Sequence, residues 1–366
     1  MTHESLASHD WDNIVERLGG APGLEVSARE TKAFLRPREV KTAVDLLRMV
    51  LAYCLGDQGL RSTVAWATSI GLVDISNVAL LYRLRQCGPW ISLLIGQLLV
   101  ARAPPAASGR LIRIIDGTTV PKAGGAGSHN KLWRVHSAFD LPSERFGVFE
   151  LTDESEGERL DRIPVVKGEI RIADRAYMQP ERIAVVLDQG ADIIIRAGWK
   201  SARWLDVDGT SLNLIAALQK ACPEGRIDCK IGIAPKAGAA LHLRLVAIKK
   251  PPEAAAAARA KATREAQRGG HKLSPATLVA ADWVILVTSL AVDAFSADDV
   301  FALYRLRWRI ELAFKRLKSV GGLKGPPGTD ERSAKPFVLA HLLMILLLEP
   351  LVDAFEASPR LDRLAA

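Results

Sequence analysis

The segment YRLRWRIELAFKRLK, residues 304–318, holds a single glutamate among arginines and lysines. Read as a helix turning about 100° per residue, it places Tyr304, Arg307, Glu311, Lys315 and Lys318 within an arc of about 80°. Leu303, Leu306, Ile310, Phe314 and Leu317 form the apolar stripe beside them. A carboxylate on such a face could ligate a metal ion while its cationic neighbours hold phosphates. A solvated helix with an i,i+4 Glu311–Lys315 pair is the plainer alternative. Two aspartates extend the first reading. Asp116 follows the aliphatic run 111–115 and Asp174 follows Ile170–Ala173, so each is expected where a strand ends. Carboxylates at the ends of neighbouring strands converge on one sheet edge. With a helix glutamate they would offer three oxygen donors suited to Mg²⁺ or Mn²⁺. Paired ions of this kind activate a nucleophile and stabilise a leaving oxygen in phosphoryl transfer. The structural alternatives are a turn at Asp116-Gly117 and a cap at Asp174. Asp208-Gly209-Thr210-Ser211 looks much like Asp116-Gly117-Thr118-Thr119, but it lies in the polar stretch LDVDGTS, where Asp-Gly makes a hairpin turn.

The elements that must position these residues are legible from the patterning. Residues 1–107 read as a helical N-terminal domain. Val40, Ala43, Val44, Leu47, Leu51 and Cys54 follow helical spacing between Pro37 and Gly56. Arg61–Ile70, a turn at Gly71 and a helix capped by Ser76 follow; they fit a helix-turn-helix for binding DNA ends or an ordinary helical hairpin. Arg102–Gly109 (RAPPAASG) reads as a linker. Residues 108–198 switch to strands: RLIRIIDGTTV, KLWRVHSAFDL and RFGVFELTD as an antiparallel meander, then a helix near 154–163, the strand GEIRIADRAY, a helix over 179–189 and the strand ADIIIRAG. Residues 199–280 form a β-rich insertion that includes a charged, Ala-rich helix over 252–268. Residues 281–356 resume with the strand DWVILVTSL, the Glu311 helix opened by Asp298 and Asp299, and an apolar helix over Ser333–Phe355; 357–366 is a tail. The fold class is therefore α/β, a mixed sheet with helices against it.

The chain has 366 residues, 49% hydrophobic and 25% charged, with a formal net charge of +8. That is globular composition with a bias towards polyanionic partners, nucleic acid first. Four scattered cysteines without C-x-x-C spacing, and seven unclustered histidines, give no zinc-site pattern. The thiols fit a reducing cytoplasm. No Gly-rich phosphate loop, nucleophile elbow or H-E-x-x-H is present. The start, MTHESLASHDWDN, lacks a secretory pattern, and the apolar run 337–348 is short for a membrane span and contains His341.

Taken together, these residues resemble the DDE transposases of bacterial insertion sequences, in the branch marked by a Y-x2-R-x3-E-x6-K helix. Tyr304, Arg307, Glu311 and Lys318 keep every spacing of that signature, and IIDGTTV and IADRAY resemble the family's two aspartate segments. The resemblance spans roughly residues 105–350. It implies an RNase H-like catalytic core, with Asp116, Asp174 and Glu311 as catalytic metal ligands for two Mg²⁺ or Mn²⁺ ions. It implies phosphate contacts from Tyr304, Arg307, Lys318 and, beside them, Lys315. Trp283 stands 28 residues before Glu311, matching the family's base-stacking tryptophan in type and spacing; a core anchor at the start of WVILVTSL is the alternative. The implied reaction is metal-dependent cleavage of transposon ends followed by 3′-hydroxyl strand transfer, cut-and-paste through a hairpin. The implied partners are double-stranded DNA (terminal repeats and target) and a second copy of the chain in the DNA complex, in the bacterial cytoplasm at the nucleoid, with no membrane. Two other classes stay open: a catalytically idle, transposase-derived DNA-binding regulator or inhibitor, and an RNase H-like nuclease without strand transfer.

Overall fold

Thr42 begins the helical region's central element. Its side chain accepts the Asp45 N–H at 3.0 Å, and Gly56 terminates the helix. In the computed structural model, which describes residues 3–101, 110–123, 131–143, 145–319 and 322–356, six helices precede the sheet. They are α1 (His3–Arg17), α2 (Gly20–Glu30), α3 (Ala43–Leu55), α4 (Leu60–Ser69), α5 (Asn77–Gln86) and α6 (Gly88–Ala101). Ser76 caps α5 as expected, accepting from Ala79 N–H at 3.1 Å, and Gly71 takes a positive φ of 66° in the turn before it. The proposed linker over 102–109 and the tail over 357–366 lie outside the described residues.

Among the described residues nine strands make one sheet: β1 (Ile112–Pro121), β2 (Leu132–Asp140), β3 (Arg145–Asp153), β4 (Ile170–Ala173), β5 (Asp192–Arg196), β6 (Arg203–Leu205), β7 (Arg226–Ala234), β8 (Leu241–Lys249) and β9 (Trp283–Thr288). Their order is β3-β2-β1-β4-β5-β9-β8-β7-β6. β1, β2 and β3 form the expected antiparallel meander, and β4 and β5 add in parallel to β1. This mixed, RNase H-like half continues without a break, because β9 pairs antiparallel with both β5 and the insertion strand β8. The turn at Asp208-Gly209 closes the end of β6 as read, with Gly209 at φ 84°.

Strand alternation sends successive side chains to two different cores. Ile114, Ile172, Ile194 and Leu286 join the larger one. Ile115, Ala173, Ile195 and Val287 join the other. The larger core is continuous with the N-terminal helices, through α11 (Ala297–Arg305), α12 (Trp308–Ser319) and α13 (Glu331–Glu356). The apolar run in α13 is buried against α3, α5 and α6. Among the described residues no helix is long and apolar enough to cross a membrane. The opposite face is covered by α7 (Pro180–Asp188), α8 (Leu214–Lys220) and neighbouring segments; α9 (Pro252–Arg268) and α10 (Pro275–Ala281) pack together beside β9.

One expected element is absent. Residues 154–163 are not helical; turns and extended backbone fill the connection from β3 to β4. Helix-compatible patterning yields here to a buried charge. Arg171, with a fully buried side chain, donates to the Glu169 carboxylate at 2.6 Å, to the Pro164 carbonyl at 2.7 Å and to the Leu160 carbonyl. Pro164 disfavours helical backbone in the residue before it, and Arg171 holds the Leu160 and Pro164 carbonyls in the non-helical path. Replacing Arg171 with Met should leave Glu169 short of its closest counter-charge and free the 154–165 segment. Chemical denaturation should show a loss of about 3 kcal/mol or more, and limited proteolysis should find new cuts in that segment.

Candidate active site

The parallel register of β1 and β4 runs Ile112↔Ile170 to Ile115↔Ala173. The next residue on each strand is an aspartate, so Asp116 and Asp174 are neighbours at roughly the 4.8 Å strand spacing. Asp174 stands where β4 ends, as expected. Asp116 does not: β1 runs on through it to Pro121, paired with β2, and no turn forms at Gly117. Asp116 Oδ1 accepts the Gly117 N–H at 2.8 Å. Asp174 caps the short 3₁₀ turn Arg175–Tyr177, accepting Ala176 N–H at 2.7 Å through Oδ1. A carboxylate has a second oxygen, so this cap leaves a donor for a ligand.

Glu311 approaches from the face of the larger core. The segment 304–318 is not the single helix expected. α11 ends at Arg305, Leu306 and Arg307 form a tight turn, and α12 begins at Trp308. Backbone bonds there run to the third residue back, with Arg307 N to Tyr304 O at 3.0 Å and Ile310 N to Arg307 O at 3.2 Å. The break lets α11 pack against β5 while α12 packs against β1. Ile310, Phe314 and Leu317 are buried, with the Phe314 ring 5.6 Å from that of Phe146. Glu311 then shares an open cleft of about 540 Å³ with Asp116, Gly117, Lys315 and Lys318. Arg307 lies between the acids: its guanidinium is 3.6 Å from Asp116 and bonded to Glu311.

Burial dominates the electrostatics of the acids. Burial pushes the Asp116 carboxyl up to about 6; Asp174 and Glu158 add to this, while the Gly117 N–H and Arg307 oppose it. Glu158 was not anticipated. It sits on the non-helical connection held by Arg171, and burial also raises its pKa, with Asp174 contributing and Arg134 opposing. No local sequence signal separates it from Glu154 or Glu156; only the fold brings it near Asp116. Among the described residues no three acidic, histidine or cysteine side chains are yet gathered tightly enough to grip one ion. The donor set nevertheless fits a hard divalent cation. It is all carboxylate, it is partly buried, and arginines supply its present positive charge.

The other expected residues divide. Lys315 and Lys318 are exposed at the cleft, and neither has an ion-pair partner among the described residues. Tyr304 is half-buried against the larger core, with Arg307 and Arg196 close enough to act on its hydroxyl. Trp283 begins β9 on the same end of the sheet as the aspartates, but it is only 3% exposed and packs in the smaller core. Its ring offers no open face to a base. Exposed apolar surface near Glu311 comes instead from Trp308, which is 51% exposed, and Leu312.

An RNase H-like sheet thus sets Asp116 beside Asp174, with Glu311 lining the cleft above Asp116. Residues 107–339 match the family described as Transposase DDE domain. The chain is 38% identical over 362 residues, 96% of its own length and 97% of the relative's, to a protein of Escherichia coli (strain K12) described as a transposase, InsL, for insertion sequence element IS186A. It is also 38% identical over 363 residues, with the same coverage, to the transposase for insertion sequence element IS421 of Escherichia coli. The chain belongs to the DDE transposases of insertion sequences. The burial of Trp283 generates a prediction: Trp283→Ala should cost about 3–5 kcal/mol of stability, read as a fall in melting temperature before any DNA is added. An unchanged melting temperature would return Trp283 to the DNA-contacting set.

Proposed function

We propose that this transposase cuts its insertion sequence free and joins it to target DNA, with Asp116, Asp174 and Glu311 as the acids of one divalent-ion site. The observation that carries the reading is the β1–β4 register, which sets Asp116 beside Asp174 under the cleft that Glu311 lines. Bound there, two Mg²⁺ or Mn²⁺ ions would supply an activated nucleophile and charge stabilisation at the leaving oxygen. The chain's own residues do the rest. Lys315 and Lys318 hold phosphates along the cleft, and Arg307, freed from the acids, turns to the same backbone. Tyr304 braces Arg307 from the core side. Arg196 and Arg175, whose charges add to burial in lowering the Lys250 pKa, extend the positive rim beyond Asp174. The 3′-hydroxyl freed by the first cut attacks the opposite strand to form a hairpin; reopened, it attacks the target. A second copy of the chain, holding the other end, completes the DNA complex.

The experiment is incubation of the full chain with linear DNA bearing the element's terminal repeats and flanks, with and without Mg²⁺. Nicks, hairpins and joined products are separated on denaturing gels. Joined product is expected only with Mg²⁺; hydrolysis without any joined product would reduce the activity to that of a nuclease. Glu311→Gln should abolish cleavage and leave DNA affinity within about twofold, because an amide keeps shape and loses the charge that holds a cation. The double substitution Lys315→Ala, Lys318→Ala should leave the melting temperature unchanged. It should flatten the dependence of log binding constant on log salt by about 0.9 for each phosphate that is no longer neutralised. An unchanged slope would make both lysines solvated surface.

A further inference from the structure

Glu158 belongs to no part of the family signature, yet the fold holds it against the catalytic strand. Its Oε1 is 2.9 Å from Arg134 Nη1, and Gln179 Nε2 donates to its carbonyl oxygen at 2.9 Å. Two residues on, the Leu160 carbonyl is bonded to the buried Arg171. Oε1 also lies 3.3 Å from where a β-carbon on Gly117 would stand. Gly117 is the only glycine in β1, and any side chain there would crowd the acid. The approach is from the face opposite Glu311: Leu160 and Ile115 belong to the smaller core, whereas the α12 residues beside Glu311 belong to the larger one.

A second observation points to a missing ligand. Tyr177 is 1% exposed, and its hydroxyl is buried without a hydrogen-bond partner among the described residues. The charges acting on it are those of Asp116, Glu158 and Asp174, with Arg134 opposing them. With Glu311, four carboxylates thus surround this end of the sheet, and Arg134 and Arg307 each hold a carboxylate that a cation could claim.

We propose that Glu158 is a fourth acid of the divalent-cation site, released from Arg134 to bind beside Asp116 and Asp174 on the sheet face opposite Glu311. This rests on the reading of Asp116 and Asp174 as cation ligands. With one acid arriving from each face, Asp116, Asp174, Glu158 and Glu311 would offer ligands on both sides of a pair of ions about 3.5–4 Å apart.

The test is calorimetric titration of Mn²⁺ alone into the full chain and its variants, which needs no DNA and no turnover. Glu158→Gln should weaken Mn²⁺ binding by about tenfold or more. Glu158→Asp keeps the charge but shortens the reach, and it should weaken binding as well. Glu156→Gln, at a neighbouring acid paired with Arg162, should bind like the unmodified chain. Asp116→Asn and Asp174→Asn report on the underlying reading. If they weaken binding and neither Glu158 variant does, Glu158 is no ligand and the three-acid site stands. If Glu158→Gln weakens binding while Glu158→Asp does not, Glu158 acts through its field, and the assignment as a ligand falls. If the unmodified chain takes up no Mn²⁺, or the aspartate variants bind as it does, the site reading fails and the proposal with it.

Discussion

Parallel pairing of β1 with β4 carries two like charges into adjacent positions at the end of a buried sheet. Charges a strand spacing apart in a partly desolvated edge repel strongly, since the local dielectric screens them far less than water does. The neighbouring structure answers that repulsion. Arg307 reaches Asp116 from a break between two helices, backbone N–H groups turn towards both aspartates, and burial, more than the Asp174 charge, pushes Asp116 towards neutrality.

Holding such a site together takes packing on both faces. α12 brings Glu311 in because Ile310, Phe314 and Leu317 are buried in the larger core, where α13 joins the sheet to the N-terminal helices. On the other face the connection from β3 to β4 is anchored by the buried Arg171, which donates to the Leu160 and Pro164 carbonyls and to the Glu169 carboxylate. The two faces are coupled through the sheet. The insertion belongs to the same sheet, with β9 between β5 and β8, so its strands stiffen the edge instead of forming a separate lobe.

Much of this was readable from residues 304–318 and from the runs before Asp116 and Asp174. The strand runs before Asp116 and Asp174 and the Ser76 cap are local properties, and they appeared where their patterns placed them; the four signature residues instead fall on α11, the turn after it and α12. The misreadings share one cause. The helix expected near 154–163, the unbroken helix through Arg307 and the strand end at Asp116 all rest on local preference, and in each a long-range interaction prevailed. Spacing leaves Trp283 between a base-stacking and a core-anchoring role; β9 sits between two neighbours, and the ring packs in the smaller core.

Sequence by itself determined most of the strands and helices, the acid and base inventory and the membership of the DDE transposases, because these follow from residue identity and spacing. Tertiary structure alone decided which charges meet. Only the β1–β4 register makes Asp116 and Asp174 neighbours, only the Leu306–Arg307 turn lays Arg307 across Asp116 and Glu311, and only the Arg171 anchor brings Glu158 over Gly117. The reason is physical. Interaction between charges depends on distance and dielectric, and both are set by packing between segments far apart in the chain.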